Sequence, residues 1–180
     1  YTIGVRYLQN SDTDKPVYRK IEIDGTVPFA EWEALSFSDT KTGKYTNKTL
    51  NAGKEPAYLY LTAGAHTIAM TATMGPLKAV YDEIVALMDD INALGMDIQK
   101  ITAGQTDLNR TWNMEYYLPN AVDDLSSFAD RIDGIYNELE TIGGTSPSYA
   151  DNLKYAPEQL RKLIKTPNQI PNKTDLINQG

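Results

Sequence analysis

The stretch HTIAMTATMGPLKAVYDEIVALMDD, residues 66–90, changes its apolar period at Gly75 and Pro76. Before this point the apolar residues fall at every second position, at Ile68, Met70 and Ala72. After it they return at alternating steps of three and four, at Leu77, Val80, Tyr81, Ile84, Leu87, Met88 and Ile91. The first period predicts a strand and the second a helix. The chain is therefore predicted to be an α+β protein with strands first and helices second.

The helical part, residues 76–180, is predicted to form a three-helix antiparallel bundle. The helices are expected from Pro76 to about Ala103, after Pro119 to Gly143 and Gly144, and from about Ser146 to Lys165. Pro157 removes a backbone hydrogen bond and is expected to kink the third helix. Pro167 and Pro171 precede a stretch that can begin a fourth. The apolar stripe of the first helix is broad, with Tyr81, Met88 and Gly95 near one flank and Val80, Leu87, Leu94 and Ile101 near the other, which is typical of a bundle.

The first part, residues 1–75, is predicted to be an antiparallel β-sandwich, because short alternating stretches are separated by turn signals. Alternation runs over residues 1–7 and 17–23, and Ile-Asp-Gly at 23–25 makes a turn. A polar loop is expected from Asp39 to Lys54. Residues 57–61 and 66–73 flank Thr-Ala-Gly-Ala and predict a hairpin. Tyr1 opens in mid-strand, so the sandwich is expected to be incomplete and the sequence to belong to a longer chain.

Charge and composition exclude several functions. The net charge of −7 lies in residues 76–180, which hold nine basic and sixteen acidic side chains, and an acidic surface repels nucleic acid. No apolar run is long enough to insert into a membrane. The chain has no cysteine, so disulfides and thiolate sites are excluded.

No catalytic motif, cofactor site or metal site is predicted. His66 is the only histidine, and its parity with Ile68 indicates a residue at the edge of the core. The acidic pairs Asp89 and Asp90, Asp123 and Asp124, and Asp130 and Asp133 are interpreted as a solvated helix surface. An all-oxygen calcium site using the Asp12–Asp14 segment or the loop near Asp39 is left open, although nothing matches an EF-hand.

The aromatic residues suggest a binding surface. Twelve tyrosines and two tryptophans against three phenylalanines favour rings with a polar tip, which stack on sugars and hydrogen-bond at their edges. Trp32, Tyr45, Tyr58 and Tyr60 in the β part are the candidate ligand-binding residues. For Tyr58 and Tyr60, covering the outer sheet face or filling the core are the alternative roles. Arg6, Tyr7 and Tyr18 are similar candidates, whereas Trp112, Tyr116 and Tyr117 are expected to pack beneath the helix connection.

The motifs IDGTVPFAE at 23–31 and AYLYLTAGAHTIAM at 57–70, followed by a long helix, resemble a known family. They are similar to an accessory region in large extracellular solute-binding lipoproteins of Gram-positive bacterial ABC importers, mostly for carbohydrates. The resemblance implies a galactose-binding-like, jelly-roll sandwich interrupted by helices. It also implies a lipid-anchored protein at the cell surface, with a neighbouring solute-binding domain and an ABC permease as partners. No α/β solute-binding domain is present in this sequence.

Two functions follow. The first is a non-catalytic extracellular module of a carbohydrate solute-binding protein, whose β part either contacts glycan through its aromatics or only supports the neighbouring domain. The second is a structural or spacer module whose helical bundle docks a protein partner without binding sugar. A glycoside hydrolase fragment is disfavoured, because sequence neighbours on a helix do not face each other across a cleft.

Overall fold

The computed structural model describes residues 1–10, 16–40, 43–104, 110–143, 150–174 and 177. They fall into two compact units, Tyr1–Lys78 and Ala79–Gly180. The strands are β1 (Gly4–Tyr7), β2 (Val17–Ile23), β3 (Leu35–Phe37), β4 (Thr46–Thr49), β5 (Asn51–Ala52), β6 (Glu55–Pro56) and β7 (Ile68–Thr73). The helices are α1 (Leu77–Thr102), α2 (Met114–Tyr117), α3 (Ala121–Gly143) and α4 (Asn152–Ile164), with 3₁₀ helices at Ala30–Glu33 and Pro167–Lys173. The predicted α+β class, with strands before helices, is confirmed.

The strands form small antiparallel sheets that share one core. Their orders are β1-β4, β3-β2-β7 and β5-β6. The buried core consists of Ile21, Ile23, Trp32, Leu35, Phe37, Leu50, Ala57 and Leu59, with Val5 and Tyr7 of β1 packed against it. The ring centroids of Tyr7 and Phe37 lie 5.1 Å apart in an edge-to-face arrangement, which joins β1 to β3. Side chains of two sheets therefore fill one interior.

The predicted polar loop between Asp39 and Lys54 is wrong, because this segment contains β4 and β5. Val5 of β1 pairs with Lys48, so the inward position of β4 holds a lysine. Its ammonium donates to the carbonyl of Ser36 at 2.5 Å and lies 5.3 Å from the centre of the Phe37 ring. Burial lowers the pKa of Lys48. An inward charge on an edge strand also discourages pairing with other chains, and it removes the apolar alternation that marks a strand.

The predicted hairpin between residues 57–61 and 66–73 is also wrong. Strand β7 pairs with β2 over six residue pairs, from Tyr18 with Thr73 to Ile23 with Ile68. Residues 57–61 instead bond elsewhere: Leu59 donates to the carbonyl of Tyr1 at 2.8 Å, and the amino group of Tyr1 donates back at 2.7 Å. The edge of β2 that β3 leaves free therefore pairs with β7, and β7 does not pair with residues 57–61, which precede it in sequence.

Strand β7 carries apolar side chains that the core does not cover. Met70 lies opposite Ile21 and Ile68 opposite Ile23, and opposite residues of an antiparallel pair share a face. Ile21 and Ile23 are buried, whereas Met70 is 45% and Ile68 53% exposed. The core-facing side of β7 is therefore open.

The turn after β2 is tied to the start of β7 by His66. Asp24 and Gly25 both have positive φ, +50° and +79°, as a type I′ turn requires. Asp24 accepts a hydrogen bond from the Thr67 amide at 2.8 Å, and its other oxygen lies 2.6 Å from His66 Nδ1. His66 Nε2 lies 3.0 Å from the Thr62 carbonyl. Both ring nitrogens are occupied by structural contacts at the edge of the sheet.

Helix α3 lies antiparallel to α1 on one side and to α4 on the other, and ion pairs join it to both. Arg131 of α3 reaches Glu83 at 2.5 Å and Asp90 at 2.6 Å, and Arg161 of α4 reaches Asp130 at 2.6 Å and Asp133 at 2.8 Å. The acids predicted to form a solvated surface thus include residues that connect helices. The predicted start of the third helix, at 146, lies outside the described residues. Thr174 and Ile177, beyond Pro171, are helical.

Only one flank of the predicted apolar stripe of α1 is buried. Val80, Leu87, Leu94 and Ile98 are buried. Tyr81, Val85, Met88 and Met96, which follow each other at helical spacing along another face, are exposed. We call these four residues the α1 apolar stripe. The predicted broad apolar face of α1 is therefore buried only in part, and the α1 apolar stripe is not covered by another helix in the described part of the chain.

Glycine is expected to be required at position 75, two residues before α1, for the stability of the N-terminal unit. Its φ is +55°, and a Cβ atom there would lie 2.6 Å from Cγ of Tyr18. We expect Gly75→Ala to destabilise the N-terminal unit by about 2–4 kcal/mol, from a left-handed backbone plus a steric overlap. The measurement is urea unfolding in a Trp112→Phe background, where Trp32 alone reports fluorescence.

Gly53→Ala is the matched control, because its φ is +63° and its Cβ would meet only Glu31 Oε1 at 3.6 Å. We expect a loss of about 1 kcal/mol from backbone strain alone. Equal losses at both positions would show that the Tyr18 contact does not matter.

The His66–Asp24 pair is expected to make stability depend on pH. The hydrogen bond to Asp24 raises the pKa of His66, and the Thr67 amide followed by His66 lowers the pKa of Asp24. A raised histidine pKa stabilises the fold fully below the unfolded value of about 6.5, and this contribution is lost as pH rises through the folded pKa.

We therefore expect the stability difference between the protein and its His66→Gln variant to shrink from pH 5.5 to pH 8.5. Urea unfolding at both pH values measures it, and no other histidine contributes. A difference that does not change with pH would contradict the expectation.

Candidate functional site

Two tyrosines of the N-terminal unit, one on each side of Leu59 in sequence, point away from its core. Tyr58 is 66% and Tyr60 100% exposed, whereas Leu59 between them is buried. Successive side chains of an extended segment alternate between faces, so burying Leu59 sends both rings outward. The hydrogen bonds between Leu59 and Tyr1 hold this segment beside the start of the chain. The structure thus brings Tyr58 and Tyr60 onto one exposed surface.

Tyr45 lies at a different place on this unit. It directly precedes β4, is 61% exposed, and has the guanidinium carbon of Arg6 4.9 Å from its ring centre. Such a cation–π contact steadies a ring in solvent. Tyr58 and Tyr60 lie near Tyr1, whereas Tyr45 lies beside Arg6, so about 17 Å of extended chain separates the two places. The four predicted residues do not form one compact site.

Trp32 is a core residue, which corrects its prediction as a ligand-binding residue. Its side chain is 0% exposed, and its indole N–H donates to the carbonyl of Asn51 at 2.9 Å. The Phe29 ring lies 5.2 Å away, centre to centre. A ring whose polar tip is already bonded and whose faces are packed cannot contact a solute. Tyr7, a similar candidate, packs against the same core. Tyr18, the other one, is also buried, beside Gly75, and burial raises its pKa.

The aromatics of the helical unit divide in the same way. Trp112 is buried, donates to Asn172 at 3.2 Å and stacks under the guanidinium of Arg110 at 3.9 Å, as packing beneath the connection predicts. Tyr116 and Tyr117 are exposed and contact each other edge to face at 5.1 Å. The prediction that these two tyrosines pack under the connection is wrong, since α2 directs both rings to solvent.

The described residues contain no group of three or more histidine, cysteine, aspartate or glutamate side chains placed to hold a metal ion. Asp12–Asp14, one half of the calcium hypothesis, lies outside them. Both carboxylate oxygens of Asp39 are buried without a hydrogen-bond partner in the described structure.

Among the helices described, none has the length and apolar character needed to cross a bilayer.

The sequence did not point to a cleft between α1 and α3 in the helical unit, with a volume of about 450 Å³. Asp97 and Asp124 lie on its wall, together with Arg131. The sequence assigned Asp124 to a solvated helix surface and did not single out Asp97, because only the packing of two helices places both on one cleft.

Comparison with known proteins identifies the helical part. Residues 79–180 match the model of the family described as bacterial solute-binding protein, 4-helix bundle domain. No curated protein and no solved structure matches the chain. The match covers more than half of the sequence and coincides with the helical unit Ala79–Gly180. The chain therefore belongs to the bacterial solute-binding proteins with a 4-helix bundle domain.

Proposed function

We propose that this chain is a non-catalytic, extracellular module of a solute-binding protein that serves a bacterial carbohydrate ABC importer. In this proposal the N-terminal unit contacts glycan through Tyr58 and Tyr60, with Tyr45 as a second contact. The observation that carries the proposal is the outward direction of two adjacent tyrosines around a buried Leu59. Family membership supports the solute-binding context, and the resemblance of residues 23–31 and 57–70 supports carbohydrate as the solute.

The separation of the tyrosines suggests the kind of glycan. Tyr58 and Tyr60 lie beside Tyr1 and Tyr45 lies beside Arg6, places separated by about 17 Å of extended chain, so a ligand that contacts both suits an oligosaccharide of several units better than a single sugar. Exposed rings with a hydroxyl offer an apolar face for stacking and a polar edge for hydrogen bonds. The His66 ring is held by Asp24 and Thr62, which argues against a role for this histidine in cleaving the glycan.

We further propose that the N-terminal sandwich, residues 1–75, is of the galactose-binding-like, jelly-roll type and is completed by another strand. The uncovered core-facing side chains of Ile68 and Met70 support this. The partners would be a neighbouring solute-binding domain and an ABC permease, with a lipid anchor holding the protein at the cell surface. These features rest on the resemblance.

A structural or spacer module is the alternative, with the helical unit 76–180 as the docking surface. The α1 apolar stripe favours it, because exposed apolar side chains at helical spacing suit contact with another protein. Under this alternative the protein binds no sugar.

A glycan array followed by calorimetry separates the two. We expect the chain to bind an oligosaccharide, and Tyr58→Ala with Tyr60→Ala to weaken binding at least about tenfold, which is about 1.4 kcal/mol. The stability of this double variant should stay within about 0.5 kcal/mol of the parent, because both rings are exposed.

Tyr116→Ala with Tyr117→Ala is the matched control, since it removes two exposed, adjacent tyrosines from the helical unit. We expect it to bind as the parent does. Failure of the parent to bind any glycan, or equal binding by both double variants, would reject the tyrosine surface as the site.

A further inference from the structure

The helical unit contains a cleft whose floor and rim differ in chemistry. It lies between the second half of α1 and the start of α3 and has a volume of about 450 Å³, within the range of small-molecule sites. Its apolar lining comes from Leu94, Leu118, Pro119, Ala121 and Phe128. Leu94, Ala121 and Phe128 are buried, so the floor belongs to the packed interior of the unit. An aliphatic chain is the natural complement of such a floor.

The rim of the cleft is negatively charged. Three carboxylates, Asp90, Asp97 and Asp124, and one cation, Arg131, line it. Arg131 is already held by Asp90 at 2.6 Å and by Glu83 at 2.5 Å, and these hydrogen bonds raise its pKa. These two carboxylates compensate the charge of Arg131, so Arg131 offers little attraction to an anion.

The two remaining carboxylates are available to a ligand. Among the described residues, Asp97 forms an ion pair with the exposed Lys100 of its own helix, at 2.7 Å, and exposed pairs of this kind are weak. Asp124 lies in the first turn of α3, where its backbone amide donates to Asn120 at 2.8 Å. The helical unit Ala79–Gly180 has sixteen acidic and eight basic side chains, since Lys78 precedes it. Its field attracts cations and repels anions.

The spacing of the carboxylates argues against a metal ion. Asp90, Asp97 and Asp124 do not form a group placed to hold one, and no such group exists in the described part of the chain. A metal needs oxygens that converge within about 2–2.6 Å of one point. Carboxylates distributed around an apolar floor instead match a ligand that carries positive charge on an extended hydrocarbon chain.

We propose that this cleft binds an alkylammonium group, with its methylene chain on the Leu94–Phe128 floor and its ammonium between Asp97 and Asp124. Free polyamines and lysine side chains of a partner protein share this chemistry. The site is independent of the tyrosine surface and of the proposed glycan function.

Amide chemical-shift titration of the full 180-residue chain tests the proposal. The probes are spermidine, an acetylated and amidated lysine peptide, and glucose as a neutral control. We expect both cationic probes to shift amides of residues 90–97 and 118–131, and glucose to leave them unchanged. The tighter of the two cationic probes identifies the source. Increasing salt should weaken the interaction.

Asp97→Asn with Asp124→Asn should weaken binding of the cationic probes at least about tenfold, as loss of charged hydrogen bonds predicts. Asp89→Asn with Asp123→Asn is the matched control, because it removes the same charge from the same two helices at exposed residues that do not line the cleft. We expect less than about twofold weakening from it, since its charges act only at a distance. The proposal is overturned if the cleft amides do not shift, if glucose shifts them equally, or if both double variants weaken binding to the same extent.

Discussion

The buried indole of Trp32 is the contact on which the N-terminal unit depends. Its N–H donates to the carbonyl of Asn51, so a 3₁₀ helix between β2 and β3 is bonded to β5. Removing one partner of such a buried bond leaves a polar group without water, which costs about 1–3 kcal/mol. Leu50 on one side of Asn51 is fully buried in the same core. The tyrosine-bearing segment at 57–61 follows directly from the β5–β6 pair that this contact positions.

The exposed tyrosines are thus consequences of the core rather than independent features. Leu50, Ala57 and Leu59 enter the interior, and Ala57 donates to the Leu50 carbonyl at 2.9 Å. Once Leu59 is buried, alternation leaves Tyr58 and Tyr60 outside. Trp32, one of the candidate ligand-binding residues from the sequence, instead stabilises the core that directs the two tyrosines outward.

The helical unit must limit repulsion between carboxylates, because it has many acidic and few basic side chains. Arginine side chains at α1–α3 and α3–α4 each contact two carboxylates, so two cations serve four anions. The bidentate shape of the guanidinium suits this role better than a lysine would. The acids left over face the cleft and the solvent. The α1 apolar stripe shows that burial in this unit is also uneven.

The sequence alone determined the class of the fold, the positions of α1 and α3 and the turn at 23–25, because periodicity and turn residues are local properties. It also separated Leu59 from Tyr58 and Tyr60 by parity. It failed at β4, where the inward residue is Lys48, and at β7, whose partner is β2 rather than the preceding segment. It failed again at Trp32, since a large aromatic in a polar context can face either way. Only the tertiary structure decided strand pairing, the burial of Trp32 and the placement of Asp97 and Asp124 on one cleft between two helices. Each of these features depends on contacts between residues far apart in sequence. A local sequence pattern does not show which of several distant segments will form those contacts.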